Sequence, residues 1–126
     1  MRILVPGANK RNGERLMSVH EIDTVDYIYL EESSEQPVLV VTDPLGWTPR
    51  EEEPHLELLS QKLNTQIAFV NSGQIVQVWP EFRDGKIVWV EVAGRCALTP
   101  RAEAFYQHAG EVMAEANMQL RFMLLY

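Results

Sequence analysis

The sequence predicts an α+β fold, a two-layer sandwich in which a four- to five-stranded, largely antiparallel sheet carries two helices on one face. Three observations predict it. Residues 54–72 and 100–117 repeat apolar side chains at three- and four-residue steps. Shorter runs between them are rich in β-branched and aromatic residues and are bounded by polar, Pro or Gly turns. Two helices with one apolar stripe each are best buried together on one side of a sheet. The expected order is β-β-α-β-β-α, and the last residues either prolong the second helix or add a strand.

Residues 25–31 and the run VLVVT at 38–42 flank a polar turn and read as a β-hairpin. The second run is apolar on both faces, which suits a central strand. Asp43-Pro44-Leu45-Gly46 is turn chemistry, because Pro fixes φ and Gly admits positive φ. Thr48 and Glu51 have capping-box spacing, and Pro54 suits a first helical turn. Leu56, Leu59, Leu63, Ile67 and Val70 then form a stripe opposite Glu57, Gln61 and Asn64, with Gly73 as the stop. Residues 75–79 read as a strand ended by Pro80, with Asp84-Gly85 as the hairpin turn into a strand at 86–92. Thr99-Pro100 opens the second helix, whose stripe includes Ala102, Phe105, Tyr106, Ala109, Val112 and Met113. In QLRFMLLY, alternation of Leu120, Phe122 and Leu124 with Arg121 favours a strand.

With 126 residues, 46% of them hydrophobic and 23% charged, the chain suits one globular domain, read at 22–126. Residues 1–21 read as an N-terminal extension, flexible or lending MRILV as a short edge strand, and Met17 offers a second start. No apolar run approaches the ~20 residues of a bilayer span. No secretion signal is evident, and the lone Cys96 has no partner for a disulfide, so a cytoplasmic setting is expected. A formal net charge of −7 opposes general affinity for nucleic acid or anionic membrane. The acidic clusters, Glu51, Glu52 and Glu53 among them, read as solvated turns and helix faces. The rival is a patch that receives a basic partner.

Phosphate-binding glycine loops, Cys/His metal clusters and Gly-x-Ser-x-Gly elbows do not occur in the sequence. No cofactor, metal or catalytic residue is therefore expected. His55, at the start of the first helix, reads as a boundary residue that caps or packs. Its functional alternative is a proton carrier in a cleft with Asp43 and Trp47, with Lys62 as a further member of a ligand or enzyme site. Asp43 reads first as a turn former.

The aromatics say more. If Ile28 and Leu30 face the helices, Tyr27 and Tyr29 point the other way, since strand side chains alternate. Trp79 and Trp89 are placed beside them, giving an aromatic platform on the helix-free face, unless one or both tryptophans belong to the core. A symmetric dimer is the simplest cover for such a face.

Thr42, Asp43 and Trp47 in TD-x3-W, then His55, Leu58, Leu59, Lys62 and Asn64 in H-x2-LL-x2-K-x-N, then Ser72-Gly73 and Pro80, form a recognisable series. Over residues 22–92 the chain resembles a small bacterial domain family of unknown function. The resemblance implies a compact α+β domain and no substrate. The leading expectation is a non-enzymatic protein-interaction or binding domain, with a protein partner or a second copy. The alternative is a small-ligand-binding protein or enzyme built around Asp43, Trp47 and His55.

Overall fold

Val38, Leu39 and Val41 in one run, and Val88, Val90 and Val92 in another, have no exposed surface, so these two runs form the middle of the sheet. The computed structural model describes residues 2–4, 22, 24–31, 33–82 and 86–125. Strands β1 (Arg2–Leu4), β2 (Tyr27–Leu30), β3 (Pro37–Asp43), β4 (Val88–Gly94) and β5 (Met118–Leu124) lie side by side in chain order. Between them run α1 (Glu52–Asn71), a single helical turn and a half α2 (Gln74–Val78), and α3 (Pro100–Ala114).

The α+β class and the placement of both long helices on one side agree with the sequence reading. The sheet is mixed rather than largely antiparallel. β1, β2 and β3 pair antiparallel, whereas β3 with β4 and β4 with β5 are parallel. Parallel neighbours need a long crossover, which α1 and α3 supply. Successive crossovers of one hand place their helices on the same side, and one core cluster joins both helices to the inner sheet face.

Residues 75–79 are the main correction. They are helical, not a strand, so the expected hairpin into residues 86–92 does not form; its turn at Asp84-Gly85 lies outside the described residues. Gly73 takes φ +85°, stops α1 and redirects the chain. Ile75 and Trp79 are then buried one turn apart while Val76 and Gln77 are exposed, a spacing only a helix provides. Burial of those two side chains outweighs the strand preference of the β-branched run. At the other uncertain end, the strand alternative holds. Asn117 turns the chain in a left-handed conformation, φ 58°, and β5 begins at the next residue.

The buried face of α1 is wider than its leucine stripe. His55, Lys62 and Gln66 are buried together with Leu56, Leu59, Leu63 and Phe69. Lys62, with no exposed surface, donates to the Thr24 carbonyl at 2.6 Å and lies 3.1 Å from the Asp26 carboxylate. Gln66 donates to the same carbonyl at 3.3 Å, and Thr65 donates to the carbonyl of Ile22. The middle of α1 is thus tied by polar groups to the segment that enters β2. Breaking a buried pair from one side strands the other charge, which costs about 3–5 kcal/mol. Lys62→Met is expected to lose stability on that scale in urea titration. The double change Lys62→Met with Asp26→Leu should recover much of it, and equal losses in both proteins would contradict the pairing.

Candidate functional site

Two places gather the residues singled out by the sequence. The first is the corner where β3 hands the chain to α1. Asp43 ends β3, and its Oδ1 accepts the amide of Leu45 at 3.2 Å, so it does form the expected turn. Thr48 and Glu51 follow with a variant of the capping box: the Glu51 carboxylate takes both the Thr48 amide, at 3.3 Å, and the Thr48 hydroxyl, at 2.7 Å. Those bonds hold the Glu51 carboxyl below its ordinary value. The first turn of α1 then returns His55 under the loop.

His55 is 2% exposed and Asp43 equally so. Nε2 of the imidazole lies 2.6 Å from Asp43 Oδ2 and 2.8 Å from Oδ1, while Nδ1 donates to the Gly46 carbonyl at 2.8 Å. Trp47 stacks on the ring with centroids 3.5 Å apart and planes 14° from parallel. The Gly46 oxygen only accepts, so Nδ1 carries a hydrogen, and the contact with Asp43 holds another between nitrogen and carboxylate. Neither nitrogen is left to take or give a proton to a bound molecule. The imidazole holds the loop at both ends instead. Beside it the hydroxyl of Tyr106 is buried without a hydrogen-bond partner, and burial, then the Asp43 charge, push its phenol far above the ordinary range.

The second place is the helix-free face of the sheet. Register puts Tyr29, Val38, Trp89 and Gln119 in one row across four strands, and Tyr27, Val40, Glu91 and Arg121 in the next. Tyr27 is 38% exposed, and Tyr29 and Trp89 are half-buried. Arg121 reaches back over the sheet from β5. Its Nε donates to Glu91 at 2.9 Å, Nη2 to the Tyr29 hydroxyl at 3.2 Å, and its guanidinium lies 4.9 Å from the centre of the Trp89 ring. Trp89 donates to Gln36 at 2.9 Å. Underneath, Val38 is completely covered.

A family model described as Family of unknown function (DUF6572) matches residues 17–125. The chain belongs to that family. No curated protein and no solved structure matches it. The DUF6572 match extends beyond the 22–92 stretch that carried the resemblance and takes in α3 and β5, so both the corner and the whole aromatic face lie inside it.

Asp43, Trp47 and His55 are thus brought into contact, as are Tyr29 and Trp89 with a residue the sequence reading did not select, Arg121. Lys62 belongs to the Thr24–Asp26 cluster and not to the corner. Trp79, expected on the aromatic face, is 4% exposed in the helix-side core against Phe82, because residues 75–79 are not a strand. The acidic run is occupied within the chain: Glu52 accepts the Thr99 hydroxyl at 2.7 Å, and Arg101 pairs with Glu53. Among the described residues no group of three His, Cys, Asp or Glu side chains is arranged to hold a metal ion, and no helix is long and apolar enough to cross a membrane.

The corner makes its own prediction. Asp43→Ala leaves a buried imidazole without its carboxylate and is expected to cost about 3–5 kcal/mol in chemical denaturation. His55→Gln retains part of the hydrogen bonding and costs about 1–3 kcal/mol. Unchanged Trp47 fluorescence and unchanged stability in both variants would contradict the clamp.

Proposed function

We propose that this domain is a non-enzymatic protein-interaction module that docks a protein partner on the helix-free face of its sheet. The observation that carries this reading is the continuous surface of Tyr27, Tyr29 and Trp89 around Arg121. Tyrosine, tryptophan and arginine are the residues that dominate binding energy at protein interfaces, because each offers large area together with a polar handle. The Arg121 charge is already compensated by Glu91, so docking strips water from a neutral group rather than from a lone ion. The rigid floor of β3 and β4 spares the ordering entropy that a loop would lose on binding.

The corner of Asp43, Trp47 and His55 supports the ligand or enzyme reading less well. Both ring nitrogens of His55 are engaged, and what the arrangement supports is a positioning role for the loop before α1.

The test is capture of partners from cells that make the protein, with three baits compared by quantitative mass spectrometry. Tyr27→Glu combined with Trp89→Ala is expected to deplete bound protein at least tenfold, equivalent to about 1.4 kcal/mol. Glu57→Lys, on the exposed side of α1, should leave it unchanged. A partner lost with the α1 variant and retained with the face variant would overturn the proposal, as would substrate turnover abolished by His55→Gln.

A further inference from the structure

β5 is an edge strand of unusual openness. Its seven residues pair with β4 without interruption from Met118 to Leu124, and among the described residues no strand pairs with its other side. The opposite edge, β1, is only three residues long. Natural edges are normally blunted with lysine, proline or a bulge. β5 has none of these, and its only charge, Arg121, is folded back over Glu91 and Trp89. Met123, Leu124 and Leu125 follow with 45%, 45% and 52% of their surface exposed.

The hydrogen bonds decide which backbone groups are free. Val88 donates to the Asn117 carbonyl and Leu125 donates to the Gly94 carbonyl, so the odd-numbered residues of β5 face β4. In a parallel pair the intervening residues point their amides and carbonyls the other way. Leu120, Phe122 and Leu124 therefore present an unpaired donor and acceptor each to the outside. A row of this kind specifies its occupant: another strand.

We infer that the β5 edge pairs antiparallel with β5 of a second copy, continuing the sheet across a two-fold axis. Side-chain complementarity selects the register. Centring the axis on Arg121 would set the two guanidinium groups opposite one another, and like charges in that position are destabilising. Centring it on Phe122 sets Phe122 against its own copy, Leu120 against Leu124 and Arg121 against Met123. Every outward-facing residue then meets another outward-facing residue, as antiparallel hydrogen-bonded pairs require, for about six new backbone bonds. Met123, Leu124 and Leu125, three of the apolar residues exposed in the single chain, lie in or beside that junction. The two helix-free faces would become one surface, which carries two copies of the Tyr29–Trp89–Arg121 cluster. This pairing stands independently of the partner proposed for that face.

Sedimentation of the whole chain over a range of concentrations, combined with amide hydrogen exchange, tests it. The mass is expected to rise from one chain to two. In step with it, the amides of Leu120, Phe122 and Leu124 should slow at least tenfold, while those of Gln119, Arg121 and Met123 are protected throughout. Leu124→Pro removes an outward donor without touching the β4 ladder and should weaken association at least tenfold; Tyr27→Glu should leave it unchanged. Should Leu124→Pro fail to fold, exchange on the native chain still decides. A chain that stays single at every concentration, or a dimer in which the even-numbered amides remain fast, overturns the inference. So does association lost with Tyr27→Glu and kept with Leu124→Pro, which would place the contact on the sheet face.

Discussion

The parallel alignment of β3, β4 and β5 is the constraint from which the rest of the molecule follows. Each parallel step obliges the chain to cross over the sheet, and two crossovers of one hand stack α1 and α3 on the same side. One face is then sealed by helices and, among the described residues, the other has only its own side chains for cover. The same geometry collects the ends of β3 and β4 and the starts of α1 and α3 at one edge of the sandwich. There Thr99, the cap of α3, donates its hydroxyl to Glu52 in the first turn of α1, and Arg101 pairs with Glu53. Gly94 belongs to this edge too. A Cβ at that position would run into the Phe122 ring, so glycine lets the ring pack down on β4.

Some polar groups inside this core are matched and others are not: the Tyr106 hydroxyl and the Gln66 side-chain oxygen have no hydrogen-bond partner. α1 turns His55, Lys62 and Gln66 inward, and the first two meet a carboxylate at the sheet, Asp43 at the end of β3 and Asp26 just before β2. Apolar contacts alone would leave α1 free to slide along a largely aliphatic sheet face, because dispersion has little directional preference. Two buried contacts to carboxylates, roughly two helical turns apart, fix its axial position.

What was legible in the sequence was what depends on local chemistry. The period of α1 and α3, the Thr99 cap, the turn at Asp43 and the alternation of Tyr27 and Tyr29 with Ile28 and Leu30 all act within a few residues, and each is present in the structure. Residues 75–79 were misread because IVQVW has the composition of a strand, while its buried positions, Ile75 and Trp79, obey a helical period set by the tertiary environment. That single misassignment also made the sheet look antiparallel, since it turned a crossover into a hairpin. The contact of His55 with Asp43 was foreseeable as a pair of candidates, but the engagement of Nδ1 by the Gly46 carbonyl was not. Arg121 escaped notice for a similar reason. Its partners, Tyr29 and Glu91, lie 92 and 30 residues away in the chain, and only strand order brings them together.

The two sides of the sheet differ in their cover, and the three tryptophans report the difference. Trp47 sits in the corner, Trp79 in the helix-side core, and Trp89 on the open face. Fluorine NMR of protein labelled with 5-fluorotryptophan, in the presence of a soluble paramagnetic agent, measures the exposure of each one separately. In the free chain the Trp89 resonance should broaden strongly while the other two remain sharp. When a protein partner is added, Trp89 alone should recover its line width and shift. A Trp89 signal that is shielded in the free chain, or that remains broadened in the complex while Trp47 shifts instead, would contradict the assignment of the helix-free face as the docking surface.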